Sequence, residues 1–297
     1  MKFRNIHIII NPASGVDEPI LSILNKELEN TEINWDVTVI HTDSDLKNVV
    51  LDLIEKTDLI AVYGGDGTVV EVAKQLIGKN TPMAIIPGGT ANVLAKELSI
   101  PTDTIEAIKL LKNKEVEIRQ IDTGLVNGQP FLIRINFGIM ADMVSHADRQ
   151  MKDSLGQLAY GITALQTLTE IEPITYKMTI DGKELIEKGV SLTVTNSGNI
   201  GITGYSFLPD ISVEDGFFDV ILLGNTDFMS LLRVASSTLF QTESEVLKHW
   251  KCKEITIELD APTTFICDDI EKEARKVEIK VNPKSLHILT PISNNKP

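Results

Sequence analysis

The first 120 or so residues alternate short apolar runs with segments of helical periodicity. Residues 6–10 form an apolar run interrupted only by His7, as in a strand buried on both faces, and apolar residues recur at helical spacing from 20 to 28. Further strands are predicted at 36–40, 59–63 and 83–86, and helices at 46–54, 69–77, 92–98 and 104–111. Strands separated by such helices form βαβ units, so the pattern predicts a doubly wound, mainly parallel sheet with helices on both faces.

The second half of the chain is dominated by strands. They are predicted at 131–136, 174–180, 190–195, 218–223, 255–259, 277–281 and 286–289, and the pairs Asp181-Gly182 and Asp215-Gly216 are typical hairpin turns. Leu155, Leu158, Ile162 and Leu165 share one helix face within it. We therefore predict an α/β domain at 1–122 and a β-rich domain at 123–297, with the last residues able to return to the first domain.

Charge and composition exclude several classes of protein. The 297 residues contain 28 Lys and Arg against 42 Asp and Glu, a formal charge of −14, which disfavours a general nucleic-acid binder. No run approaches the roughly 18–20 apolar residues of a transmembrane helix. Cys252 and Cys267 have no metal-binding spacing. These features predict a soluble, cytoplasmic protein with reduced cysteines.

Unusual residues follow four of the predicted parallel strands. NPASG follows Ile10, His41-Thr42 follows Ile40, GGDGT follows Tyr63 and PGGTAN follows Ile86. The carboxyl ends of parallel strands meet at one sheet edge, where glycine loops let backbone amides approach phosphates and helix N-termini favour anions. Either glycine pair alone is equally explained as a turn with helix-capping residues, but together they predict a polyphosphate-binding site. The Walker pattern is absent.

These motifs carry a family resemblance. NPASG, GGDGTVVEV and PGGTANVLA resemble, in this order and spacing, the nucleotide-binding motifs of the diacylglycerol kinase and sphingosine kinase catalytic family, most closely the bacterial soluble lipid kinases. The resemblance continues in LTVTNSGNIGITGYSFLPDISVEDGFFDVILL and so covers nearly the whole chain. It implies that the domain at 1–122 is a Rossmann-like nucleotide-binding domain, as in NAD kinase and diacylglycerol kinase, and that the domain at 123–297 is an antiparallel β-sandwich that serves as the acceptor domain.

The resemblance also implies an activity in lipid metabolism and a set of binding residues. The γ-phosphate of ATP would be transferred, with Mg²⁺, to a hydroxyl of diacylglycerol, a related glycerolipid or a long-chain base. The implied ATP-binding residues are Asn11, Pro12, Ala13, Thr42, Gly65, Asp66, Gly67, Thr68, Val69, Val70, Glu71 and Thr90. Asp66 would either approach the magnesium ion or only order its loop. Val70 and Val93 stand where the family often has Asn and Asp.

The catalytic base of the family lies in an Asp-Gly-Glu motif near the C-terminus. This chain has Asp269-Ile270-Glu271 at the matching place, so the resemblance implies Asp269 as base and Glu271 as a contact to ATP. Asp268 would take the role of base if the register slipped by one residue. A solvated acidic turn explains the same residues without any chemistry, and isoleucine avoids the positive φ that glycine accepts.

A second metal site is implied in the β-rich half. Ser212, Asp215 and Phe217 match a structural magnesium site of the family, with Phe217 contributing only its backbone carbonyl. A bare hairpin turn at Asp215-Gly216 is the competing interpretation.

Three questions stay open from the sequence. NAD kinase also has GGDGT but lacks PGGTAN, so an NAD kinase-like phosphotransferase is the disfavoured alternative. A non-catalytic nucleotide- or lipid-binding protein is the other, motivated by Ile270. A lipid acceptor implies transient contact with a membrane surface. The helix predicted at 154–169 could line a cleft for the lipid or pack against the core of the β-rich domain. Whether the protein forms a homodimer is also open.

Overall fold

A computed structural model describes residues 3–14, 18–41, 44–141, 172–199, 210–224 and 247–292. The chain divides into two compact units: unit 1 comprises Met1–Ile121 and Lys284–Pro297, and unit 2 comprises Asp122–Pro283. The helical pattern at 154–169 lies outside the described residues.

Unit 1 alternates strands and helices. Its elements are β1 (Asn5–Ile10), α1 (Ile20–Leu28), β2 (Asn34–Val39), α2 (Leu46–Leu53), β3 (Leu59–Gly64), α3 (Asp66–Leu76), β4 (Met83–Pro87), α4 (Val93–Glu97) and α5 (Thr104–Leu110). The strands are parallel in the order β4-β3-β1-β2. Every residue of β3 and β4 is buried, whereas β2, at the end of the row, is half-exposed. The predicted parallel, doubly wound sheet is confirmed.

The strand order reverses between β1 and β3. From β1 the chain passes to β2 on one side, and then to β3 and β4 on the other. Such a switch point opens a crevice at the carboxyl ends of the two central strands, because their connections leave toward opposite sides of the sheet. NPASG follows β1 and GGDGT follows β3, so both motifs lie at this point.

Unit 2 is built from antiparallel strands. Its elements are β5 (Val116–Val126), which begins in unit 1, β6 (Gln129–Phe131), β7 (Arg134–Gly138), β8 (Ile174–Ile180), β9 (Lys183–Gly189), β10 (Ser191–Thr195), β11 (Phe218–Leu223), β12 (Leu247–Cys252), β13 (Glu254–Cys267) and β14 (Ile270–Pro291). The pairing runs β12-β11-β10-β7-β13-β14, and β8 joins β13 to β9. The antiparallel second half is thereby confirmed.

Aromatic side chains fill the core of unit 2. Phe137 stacks on Phe265 at 5.1 Å between ring centroids, and Tyr176 meets the Phe137 ring edge-on at 6.3 Å. Phe131 and Phe218 form a second pair at 5.2 Å. Burial of such large rings supplies much of the hydrophobic free energy of a small domain.

The strands of unit 2 differ from the sequence prediction in two ways: one strand is longer than predicted, and others were not predicted. The strands predicted at 277–281 and 286–289 are one continuous strand, β14, which starts in unit 2 and ends in unit 1, where Ile288 pairs with Met83 of β4. The strands β9 and β12 were not predicted. The alternating exposure of β9 reflects its charged residues, which dilute the apolar signal of a strand.

Candidate active site

Three loops of unit 1 meet at the carboxyl ends of β1, β3 and β4. The backbone N–H of Asn11 donates to the carbonyl of Tyr63 at 3.0 Å, and the N–H of Gly88 donates to the carbonyl of Gly64 at 2.9 Å. Sheet hydrogen bonding therefore continues one residue beyond the strands and holds the start of NPASG and of PGGTAN against GGDGT.

The two glycine loops pack backbone against backbone. A Cβ atom added to Gly89 would lie 2.7 Å from the Cα of Gly65, and one added to Gly64 would lie 2.7 Å from the Cβ of Thr68. Distances this short are not tolerated, so no larger residue fits at Gly64 or Gly89 without displacement of the backbone or of helix α3. The glycines are required for the close approach of the loops to each other.

Thr68 connects NPASG to the first turn of α3. The side-chain amide Nδ2 of Asn11 donates to Oγ1 of Thr68 at 2.8 Å, and the hydroxyl of Ser14 lies 3.4 Å from the same oxygen. The other side-chain atom of Asn11, Oδ1, accepts the N–H of Ala13 at 3.0 Å and fixes the turn. Asn11 and Thr68, two predicted site residues, are thus in direct contact. Ser14 was not predicted, although NPASG contains it.

Asp66 orders the next loop. Its Oδ1 accepts the backbone N–H of Val93 at 2.7 Å, the first N–H of α4. Asn92, in the left-handed conformation at φ 47°, accepts the N–H of Gly89 on Oδ1 at 3.1 Å and donates Nδ2 to the carbonyl of Gly89. Of the two roles considered for Asp66, the structure thus displays the ordering of the loop.

The remaining predicted ATP-binding residues fall into two groups. Val69 and Val70 are buried with 4% exposure each, so their side chains belong to the core and only their backbone is available to a ligand. Pro12, Ala13, Gly67, Glu71 and Thr90 are exposed, and Gly65 is intermediate. Val93, the other departure from the family pattern, is also buried. Thr42 lies outside the described residues.

The side chain of Tyr63, the residue before Gly64, hydrogen-bonds to Glu18. The hydroxyl of Tyr63 donates to Oε1 of Glu18 at 2.8 Å, and the hydroxyl of Thr104 donates to the same oxygen at 2.7 Å. Burial and the hydrogen bond to the Glu18 carboxylate raise the pKa of Tyr63 above its usual value. The ring of Tyr63 lies 3.2 Å from where a Cβ on Gly88 would stand. Local sequence patterns held no signal for this contact set.

In unit 2, the acidic residues near the C-terminus form a tight hairpin. Cys267 pairs with Ile270, so Asp268 and Asp269 are the two turn residues between β13 and β14. Asp268 is buried at φ 54°, and its carboxylate accepts the N–H groups of Leu132 at 3.2 Å and Ile133 at 2.9 Å. Its role is to hold the turn.

Asp269 and its neighbours are open to solvent. Asp269 and Glu271 are exposed, and Ile270 is 45% exposed at the first position of β14. Ile270 is not among the residues with positive φ, so the replacement of glycine introduces no backbone strain here. The alternative register with Asp268 as base is disfavoured, because that carboxylate is occupied by buried amides.

The predicted structural metal residues lie in the segment before β11. Asp215 accepts the N–H of Phe217 on Oδ1 at 3.0 Å and the ammonium of Lys251 on Oδ2 at 2.6 Å, while Oγ of Ser212 accepts the N–H of Glu214 at 3.3 Å. Within the described ranges, no group of three or more His, Cys, Asp or Glu side chains is arranged to hold a metal. A divalent ion seeks several oxygen ligands, and here the one carboxylate already has a cation, so the set fits a metal poorly.

Comparison with known proteins agrees with this geometry. Residues 5–126 match the family model of the diacylglycerol kinase catalytic domain, and residues 134–290 match that of the YegS C-terminal NAD kinase beta sandwich-like domain. A diacylglycerol kinase from Bacillus subtilis is 31% identical over 246 residues, covering 80% of this chain and 79% of that protein. The chain belongs to the diacylglycerol kinase family.

Further relatives of this family extend the likeness over the whole chain. An uncharacterized protein of Synechocystis is 27% identical over 314 residues, covering 99% of this chain and 72% of that one. A crystal structure of a diacylglycerol kinase from Bacillus anthracis superposes with a TM-score of 0.78 at 25% identity, covering 98% of both chains. The resemblance stated from the motifs is confirmed, and the family is one of lipid kinases.

A more distant likeness concerns the fold. Yeast NADH kinase in complex with NADH superposes with a TM-score of 0.57 at 13% identity, over 99% of this chain and 85% of that one. It shows the shared architecture, which the sequence predicted. None of the helices in the described ranges combines the length and the apolar character that a membrane span requires.

Proposed function

We propose that the protein transfers the γ-phosphate of ATP to a hydroxyl of diacylglycerol, a related glycerolipid or a long-chain base. The observation that supports this most directly is the packing of Gly65 against Gly89 next to the sheet's switch point, which leaves two glycine loops of adjacent βα units side by side. Loops of this kind bind phosphates through backbone N–H groups. The family supplies the class of acceptor.

ATP would bind on unit 1. The phosphates would be held by backbone N–H groups at the start of helix α3, from Gly65, Asp66, Gly67 and Thr68. Thr90 would reach the phosphates from the exposed tip of the neighbouring loop. Asn11 would fix the hydroxyl of Thr68 in its orientation. Pro12, Ala13 and Glu71 are exposed and so accessible to the nucleotide. Thr42 keeps its place in this proposal on the resemblance alone.

A magnesium ion bound with ATP fits the residues present. Mg²⁺ retains several waters and takes substrate phosphates as ligands, so it needs few protein carboxylates, and the charge it supplies would neutralise the phosphates. Asp66 would act on the loop rather than on the ion, because its carboxylate already accepts the N–H of Val93.

Unit 2 would supply the acid–base chemistry. The carboxylate of Asp269 would take the proton of the acceptor hydroxyl while that oxygen forms a bond to the γ-phosphorus and the bond from the γ-phosphorus to the bridging oxygen of ADP breaks. Glu271 would contact ATP. Exposure of both side chains supports this assignment, since each is free of the core.

The test is transfer of labelled γ-phosphate from ATP, with Mg²⁺, to a panel of lipids in mixed micelles, with NAD as a control acceptor. Label in one lipid class, lost by a factor of about 10²–10⁴ in Asp269→Asn, is the expected result. Glu273→Gln removes an exposed carboxylate from the same strand and should retain activity, so it is the matched control.

Two other outcomes would replace the proposal. Label in NAD alone would assign an NAD kinase-like activity, the alternative left open from the sequence. Nucleotide binding with no labelled product from any acceptor would assign a non-catalytic binding protein. A lipid acceptor further predicts transient contact with a membrane surface, and sedimentation would establish whether two copies associate.

A further inference from the structure

The ammonium group of Lys251 hydrogen-bonds to the loop that precedes β11. Lys251, on β12, donates to the carboxylate of Asp215 at 2.6 Å and to the backbone carbonyl of Asp210 at 3.2 Å, and its nitrogen lies 3.9 Å from Oδ1 of Asp219. Three oxygens from residues 210–219 thus surround one positive charge, as they would surround a bound cation.

Asp219, the second residue of β11, places a buried carboxylate beside this loop. The side chain of Asp219 is 1% exposed, and its Oδ2 has no hydrogen-bond partner among the described residues. Its Oδ1 lies 2.6 Å from Nε2 of His249. Because a buried carboxylate is costly without compensation, Lys251 and His249 are both needed beside it.

The other side of the same loop is held by the protein as well. The carboxylate of Asp122, which is fully buried, accepts the N–H of Gly216 at 2.7 Å, and the N–H of Asp122 donates to the carbonyl of Val213 at 2.7 Å. Oδ1 of Asp215 accepts the N–H of Phe217. Of the predicted metal ligands, the carboxylate of Asp215 and the hydroxyl of Ser212 therefore already have protein partners.

We propose that Lys251 acts as the built-in cation of this loop, so that the segment containing Ser212, Asp215 and Phe217 is held in place without a metal ion. This proposal is independent of the lipid kinase assignment, because it concerns the stability of unit 2. Burial by itself lowers the pKa of Lys251, but the hydrogen bond to Asp215 and the attraction of Asp219, Asp215 and Asp210 raise it overall, so the group keeps its charge at neutral pH.

The first test is thermal unfolding of the full chain, without nucleotide, in EDTA and in millimolar Mg²⁺. We expect the two midpoints to agree within about 1 °C, because a ligand stabilises only a state that it binds. A rise of several degrees with Mg²⁺ that disappears in Asp215→Asn would overturn the proposal. Calorimetric titration of the wild-type protein with Mg²⁺ alone gives a second readout, and one ion bound through Asp215 would equally overturn it.

The second test removes the charge. Lys251→Met should lower the melting temperature by about 3–6 °C, because it leaves the oxygens of Asp210 and Asp215 without their donor. Lys248 lies on the same strand, β12, as Lys251 and forms an ion pair near the surface with Glu187 of β9, at 2.7 Å. Lys248→Met breaks this ion pair and should change the melting temperature by about 1 °C or less. Equal effects of the two variants would contradict the special role of Lys251. If Lys251→Met fails to fold, the Mg²⁺ titration of the wild-type protein still decides the matter.

Discussion

The carboxylate of Asp66 accepts the first N–H of helix α4, at Val93, over 2.7 Å. A residue of the GGDGT loop therefore caps the helix that follows the PGGTAN loop, 27 positions later in the chain. This hydrogen bond couples the two loops, so a substitution at Asp66 should alter the conformation of both.

Removal of this cap should weaken both stability and nucleotide binding. Asp66→Ala should cost about 1–2 kcal/mol of the free energy of unfolding, as for loss of a helix cap, and should raise the Kd for ATP about tenfold. Chemical denaturation and equilibrium titration with a fluorescent ATP analogue measure the two effects. Asp103→Ala is the matched control, because Asp103 caps α5 by accepting the N–H of Glu106 at 2.9 Å. It should lose similar stability while its Kd stays unchanged, and an equal change in Kd would refute the coupling.

A methyl group at Gly89 should force the two glycine loops apart. Its Cβ would lie 2.7 Å from the Cα of Gly65, so Gly89→Ala should destabilise the protein by about 1–3 kcal/mol. Gly67→Ala places its methyl where no atom lies within 4 Å and should stay within about 0.5 kcal/mol. Urea unfolding of the two variants makes the comparison, and similar stabilities would show that the loops do not pack as described.

Substitution of the two aspartates of the β13–β14 turn should affect different properties: stability at Asp268 and phosphate transfer at Asp269. Asp268→Ala leaves the buried N–H groups of Leu132 and Ile133 without their acceptor and should cost about 2–4 kcal/mol of stability. Asp269→Ala removes an exposed carboxylate and should leave the free energy of unfolding within about 0.5 kcal/mol of wild type, while phosphate transfer is lost. Denaturation and transfer assays on the same samples separate the roles. Stability loss at Asp269 would argue that it, too, is structural.

His7 should make the stability of unit 1 sensitive to mild acid. Burial lowers the pKa of His7 below its ordinary value of 6.5, with Asp36 opposing the shift, so the folded state binds its proton less readily than the unfolded chain. The stabilisation by neutral His7 is therefore present above about pH 6.5 and is lost as pH falls toward the lowered pKa. Between about pH 7 and pH 5, wild type should lose more free energy of unfolding than His7→Gln. Parallel pH profiles of the two proteins would contradict this.

The parallel half of the fold was accessible from the sequence because its signals are local. The apolar run of β1, the helical spacing of α1 and the glycine loops each fall within a few neighbouring residues. The predicted site residues Asn11 and Thr68 came from motifs that follow strand ends, and the structure places their side chains in contact.

Contacts between distant segments could not be predicted in this manner. The bond from Asp268 to Ile133 spans 135 positions, and that from Lys251 to Asp215 spans 36, so neither leaves a periodic pattern in the sequence. Position in the sequence does not distinguish Asp268 from Asp269, but their environments differ, because Asp268 is buried and Asp269 is exposed. The sequence likewise held no sign that Glu18, between a loop and α1, accepts the hydroxyl of Tyr63.

The C-terminal part of β14 adds a strand to the sheet of unit 1, next to β4. Ile288 pairs with Met83, and the N–H of Gly78 donates to the carbonyl of Ser285 at 2.7 Å, yet all of unit 2 is synthesised between these partners. A nascent chain that has reached residue 121 therefore exposes the hydrogen-bonding edge of β4, the strand from which PGGTAN emerges. We expect unit 1 to become fully protected from proteolysis only after β14 has been synthesised, long after the loops that follow β1, β3 and β4 have left the ribosome.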